Sequence, residues 1–110
     1  MSFKVEATSL FEKQLKRLVK KYPSLKQELK TLIVSLQNDP KIGVAIGHHC
    51  YKIRLAVSSK GKGKSGGARV ISHLQISKEK VYLLSIYDKS ELSTLTDAQI
   101  NSLLRYVDEG

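Results

Sequence analysis

The segment ARVISHLQISKEKVYLLSIYD, residues 68–88, decides the fold. Its first part alternates. Ala68, Val70, Leu74 and Ile76 share one face, and Arg69, Ile71, His73 and Gln75 share the other, as the two-residue period of a strand requires. Ser77-Lys78-Glu79-Lys80 is a turn of hairpin length. Residues 81–88 are nearly all apolar, which points to a strand covered on both faces at the centre of a sheet. Upstream, Tyr51, Ile53, Leu55 and Val57 alternate with Lys52 and Arg54. Between these strands runs SSKGKGKSGG, residues 58–67, a basic loop rich in glycine.

Toward the N-terminus the period changes from two to 3.6. FKVEA, residues 3–7, reads as a short strand. Ser9 followed by Glu12 has the spacing of a capping box and predicts a helix start. Phe11, Leu15, Leu18, Val19 and Tyr22 form one apolar stripe. Pro23 ends that helix and suits the first turn of the next. Leu25, Leu29, Leu32, Ile33 and Leu36 repeat the stripe, and Asn38-Asp39-Pro40 stops it. Two stripes joined by so short a break predict a helical hairpin. At the other end, Thr96 and Gln99 form a second capping box, and Ile100, Leu103, Leu104 and Val107 stripe a last helix. The order is β-α-α-β-β-β-α. It predicts a single α+β domain over residues 1–110, a small antiparallel sheet with its apolar face packed on the hairpin. The opposite face would carry Lys52, Arg54, Arg69, His73 and Tyr87, unless a bulge shifts the register.

Composition narrows the function. The 110 residues are 41% hydrophobic and 26% charged, the balance of a globular domain and not of a disordered or fibrous chain. No apolar run is long enough for a membrane helix, and MSFKVEAT has no signal-peptide core. Cys50 is the sole cysteine, so an internal disulfide is excluded. The expected location is the cytoplasm. The formal net charge is +9, which points to a polyanionic partner. Between Asp39 and Glu79 stand Lys41, Lys52, Arg54, Lys60, Lys62, Lys64, Arg69 and Lys78, with no carboxylate.

Two motifs fail on inspection. Gly63-Lys64-Ser65 lacks the earlier glycine of a phosphate loop, because Ser58 stands there, and it leads into a strand. His48, His49 and Cys50 are adjacent, a poor spacing for one tetrahedral ion, with no second ligand pair downstream. No metal or cofactor is expected.

The cationic strands are different. Lys52 and Arg54, with Arg69 on a neighbouring strand, form a platform for phosphate. The run KGKGKSGGARVI, residues 60–71, followed by VYLLSIYDKSE, residues 81–91, resembles the RelE/HigB branch of the RelE/ParE toxin superfamily. The strand and helical hairpin at the start are similar to that family too, so the resemblance spans residues 3–105. It implies a RelE-like fold and the toxin of a type II toxin–antitoxin module. Such a toxin is a metal-independent endoribonuclease that enters the ribosomal A site and cuts mRNA there. A cognate antitoxin would neutralise it, and operator DNA would be bound only by the toxin–antitoxin complex. No membrane partner is implied.

By position, Lys52 and Arg54 match the family's paired basic residues, Arg69 its next arginine, and Lys89 the basic motif after its last strand. Ser90 stands where many members have arginine, and residues 92–95 lack the late tyrosine, so Tyr87 is expected to serve instead. Lys52, Arg54, Arg69 and Tyr87 are the expected catalytic set. Lys60, Lys62, Lys64, His73 and Lys89 are the expected RNA and ribosome contacts. Clustered cations would lower the Tyr87 phenol. Two other functions compete: a ParE-like gyrase inhibitor without nuclease activity, and a non-catalytic RNA-binding module.

Overall fold

A computed structural model describes residues 2–61, 66–92 and 94–108. The elements are β1 (Lys4–Ala7), α1 (Ser9–Lys21), α2 (Leu25–Asn38), β2 (Val44–Gly47), β3 (Cys50–Leu55), β4 (Ala68–Gln75), β5 (Lys80–Asp88) and α3 (Asp97–Leu104). The strands form one sheet in the order β1-β5-β4-β3-β2. β5 is an interior strand with a neighbour on each side, as its apolar composition predicts, and β4 is the middle one. Two details depart from the expected order. β1 runs parallel to β5, so the sheet is mixed and not wholly antiparallel. A further strand, β2, pairs antiparallel with β3. VAIG is four residues long, too short for a period to show. A two-residue turn closes this hairpin, with His48 and His49 both left-handed at φ 56° and 58°. The two histidines thus make a tight turn of the kind usually built from Asn-Gly.

The apolar stripes meet the sheet as predicted. Phe11 and Leu18 of α1 and Leu25, Leu29, Leu32 and Leu36 of α2 are buried against Ile53, Val70, Leu74, Val81, Leu83 and Ile86. Leu15, Val19, Tyr22 and Ile33 pack at the margin of that core. Phe11 is fully buried. Its replacement by alanine is expected to cost about 3–5 kcal/mol, seen as a fall of about 12 °C or more in the circular-dichroism melting midpoint.

The first helix is capped one residue earlier than expected. Thr8, not Ser9, is the cap. Its Oγ1 accepts from the Phe11 amide at 3.3 Å and donates to the Leu83 carbonyl at 3.2 Å. The threonine therefore anchors α1 directly to β5, a contact that local spacing does not show. The second capping box is present as predicted. Thr96 Oγ1 accepts from the Gln99 amide, and Gln99 Oε1 accepts from the Thr96 amide.

The second face of the sheet is not an open polar platform. Ile100 and Leu103 of α3 pack on Cys50, Ile71, Tyr82, Leu84 and Tyr87. A bulge brings the last three onto one face. The β4–β5 register shifts between Ile71 and Ser72, where Ser85 and then Leu83 are the partners. Leu84 is the extra residue, so parity changes along β5. Gln14 of α1 repairs the interruption. Its Oε1 accepts from the Ile86 amide at 3.1 Å and the Ser85 hydroxyl at 3.0 Å.

Candidate functional site

The sheet register places three of the expected residues in one row. Arg54 lies opposite Arg69, and Arg69 lies opposite Tyr87. Residues paired in this way have Cα atoms about 4.5–5.5 Å apart. Two cations directly opposite each other repel and weaken a sheet. The pair brings two positive charges together across the β3–β4 ladder. Lys52 sits on the next same-face row, opposite Ile71.

Depth sorts these side chains. Arg54 and Lys89 are exposed and Lys52 is half-buried. Arg69 is only 7% exposed and Tyr87 only 6%. The sequence reading placed Lys52, Arg54, Arg69 and Tyr87 together on the sheet face opposite the hairpin. α3 closes over the Tyr87 part of that face. Arg69 Nη1 donates to the Ala68 carbonyl at 3.1 Å. The Tyr87 hydroxyl is buried and has no hydrogen-bond partner among the described residues. A buried hydroxyl without a partner loses about 1–3 kcal/mol.

The acidity of Tyr87 runs opposite to the expectation. Burial raises the phenol above its ordinary value, and the nearby Arg69 offsets only part of that rise. Tyr87 is therefore protonated at neutral pH, a hydrogen-bond donor and not a base.

The register separates His73 from the row. It lies opposite Cys50 and Tyr82, four residues along β4 from Arg69, or about 13 Å at strand rise. The residue is 9% exposed, and Nδ1 is 3.6 Å from Cys50 Sγ. Burial lowers its pKa, so it is neutral at pH 7 and does not present a cation to phosphate. Burial pushes the Cys50 thiol up to about 11, the opposite of what a reactive thiolate needs.

Lys60 is also placed differently. Its ammonium is paired with the Asp88 carboxylate and lies 5.9 Å over the Tyr22 ring. Asp88 receives the Tyr22 hydroxyl at 2.9 Å and the Ser90 amide and hydroxyl at 3.1 Å each. Burial alone would raise the Asp88 carboxyl, but Lys60, Ser90 and Tyr22 outweigh it and hold it well below the usual carboxylate range. Lys62 and Lys64 lie outside the described residues. Tyr22, Ser24 and Glu28 of the helical hairpin join this region, and only Tyr22 was marked by the local pattern, as a member of the first apolar stripe.

With this geometry in view, the comparison with known proteins is specific to the backbone. No protein-family model matches the chain. The E. coli toxin RelE, in the free state of a doubly substituted form, matches with a TM-score of 0.61 and 18% identity over 96% of this chain and 97% of that one. The isolated E. coli RelE toxin matches with a TM-score of 0.56 and 20% identity, over 94% of this chain and 98% of that one.

The chain has the fold of RelE. The match spans almost the whole length, so the predicted α+β architecture and its RelE-like path are both found. Within this RelE fold the Arg54–Arg69–Tyr87 row lies on the antiparallel part of the sheet, on the face away from the helical hairpin. No helix among the described residues is long and apolar enough to cross a membrane.

Proposed function

We propose that this chain is the toxin of a type II toxin–antitoxin module, a ribosome-dependent endoribonuclease that cuts mRNA in the A site. The Arg54–Arg69–Tyr87 row within a RelE fold is the observation that carries this reading. RNA contains its own nucleophile. The 2′-hydroxyl attacks the adjacent phosphorus, a 2′,3′-cyclic phosphate forms, and the bond to the 5′-oxygen breaks. The protein must align the oxygen, stabilise charge on the phosphoryl oxygens and move two protons. Arg54 and Lys89, at the surface, meet the RNA backbone first. Arg54 and Arg69 suit the phosphoryl oxygens, because a guanidinium is permanently charged and binds phosphate in a fork. Lys52 adds a third cation along the same face.

Tyr87 fits the second proton. A protonated phenol with a vacant hydrogen bond is suited to donate to the departing 5′-oxygen. A cognate antitoxin, expected to be acidic to complement the +9 chain, would block the same face. Primer extension on a translated reporter mRNA tests the whole reading. Cuts at defined codon positions are expected only with translating ribosomes present. Tyr87→Phe is expected to slow cutting by about 10²–10⁴-fold with the melting midpoint unchanged or raised. Intact mRNA in both settings, with DNA breaks on induction, would replace the nuclease with a gyrase inhibitor.

A further inference from the structure

We propose that Lys60 and Asp88 are a positioning pair that holds the Lys89 turn against the base of the β3–β4 connection, and that Lys60 does not itself contact RNA. The inference rests on the ribonuclease reading for its activity arm but on the fold alone for its structural arm.

A lysine that reaches for phosphate must be solvated and free to move. Lys60 is neither. Its side chain is 14% exposed and that of its partner Asp88 6%. Both carboxylate oxygens of Asp88 are occupied. One takes Lys60 and Ser90, and the other takes the Tyr22 hydroxyl. The residues just before Lys60 are tied down as well. The Ser58 amide and hydroxyl both donate to Glu28 Oε2 at 2.8 Å. The Ser59 amide donates to Ser24 Oγ at 2.9 Å, and the Ser24 amide donates back to Ser59 Oγ at 2.9 Å. The start of the β3–β4 connection is thus docked onto the turn of the helical hairpin.

The far end of that connection reaches the same place. Gly67 accepts from the Lys89 amide at 3.1 Å, and Ala68 pairs with Asp88 in the sheet. Asp88 also caps the single helical turn Lys89–Glu91, and Glu91 Oε1 accepts from the Asp88 amide at 3.1 Å. Asp88 is therefore the point where the loop base, the hairpin and the Lys89 turn are joined. It is one residue from Tyr87, and Lys89 is the next one. Withdrawing Lys60 removes one tie at the loop base and one of the donors that hold the Asp88 carboxylate, which loosens the turn that aims Lys89. Lys60 acts on the RNA through Lys89.

Salt dependence separates a contact from a positioning pair. Each phosphate contact on a single strand contributes about 0.7 to the slope of log K against log salt. Short single-stranded RNA binding, amide exchange and cleavage on translating ribosomes are measured on the full chain. Lys60→Met is expected to keep the wild-type salt slope, lower kcat at least tenfold with KM within about threefold, and speed exchange of the Lys89 amide at least tenfold. Lys60→Arg is expected to restore kcat and protection. Lys89→Met is expected to reduce the slope by about 0.7 while its own amide stays protected. A reduced slope in Lys60→Met with the Lys89 amide still protected overturns the proposal and makes Lys60 an RNA contact. Unchanged exchange and unchanged kcat in Lys60→Met also overturn it. If the wild-type chain neither binds nor cuts RNA, the ribonuclease reading fails, and amide exchange still decides the positioning pair.

Discussion

Arg69→Ala is expected to abolish RNA cleavage and growth inhibition while leaving the fold standing. Charge on the phosphoryl oxygens rises in the transition state, and an arginine placed there is worth about 10³–10⁵ in rate in related phosphoryl chemistry. The side chain comes from the second residue of β4, paired on both sides with antiparallel partners, so its aim is set by the sheet. Two effects on stability oppose each other: the bond from Nη1 to the Ala68 carbonyl is lost, and the repulsion with Arg54 across the β3–β4 ladder is relieved. The melting midpoint is expected to stay within about 5 °C of wild type, close to 1 kcal/mol. Arg69→Lys keeps the charge and loses the fork, so it is expected to recover only part of the rate. Single-turnover cleavage on programmed ribosomes measures both variants. A fully active Arg69→Ala would remove Arg69, and with it the row, from the chemistry.

Gly67→Ala carries a large expected structural effect for the addition of one methyl group. A Cβ at this position would stand 2.1 Å from the Leu55 carbonyl oxygen, 3.1 Å from its carbon and 3.2 Å from the Ala56 Cα. All three are backbone, where β3 ends beside the start of β4, so no side chain can turn away. The strands must separate, and the bond from the Lys89 amide to the Gly67 carbonyl moves with them. Overpacking of this kind costs roughly 3 kcal/mol or more, a fall of at least about 12 °C in the melting midpoint. By contrast, a Cβ at Gly47 meets nothing within 4 Å, and only its φ of 93° opposes a side chain. Gly47→Ala is therefore expected to cost about 1 kcal/mol. Equal melting midpoints for the two alanine variants would contradict the close approach at Gly67.

Much of the architecture was legible because it rests on local periodicity. The Phe11–Tyr22 and Leu25–Leu36 stripes predict a hairpin, and the hairpin buries those residues. Alternation along residues 51–57 and 68–76 places Arg54 and Arg69 on one face, and the register sets them opposite each other. The apolar run at 81–88 predicts a central strand, and β5 lies between β1 and β4. Elements this short fail for the same reason. VAIG is too brief to show a period, so β2 went unread. The capping box at Ser9 and Glu12 matched a spacing, but Thr8 won the cap because its hydroxyl also reaches the Leu83 carbonyl, 75 residues away.

The candidate site divides along the same line. The sequence by itself determined which residue types share a strand face: two arginines and a lysine without carboxylates, on a basic chain. That follows from the two-residue period and needs no partner strand. The tertiary structure decided what those residues can do. A bulge at Leu84 turned Tyr82, Leu84 and Tyr87 to one side. α3 then covered that side, so that burial raised the Tyr87 phenol where neighbouring cations alone would lower it. The Lys60–Asp88 pair joins residues 28 positions apart, and the Tyr22–Asp88 bond residues 66 apart. Charge and periodicity are properties of neighbours along the chain. Burial, and the pairing of one particular lysine with one particular carboxylate, exist only once distant segments have packed together.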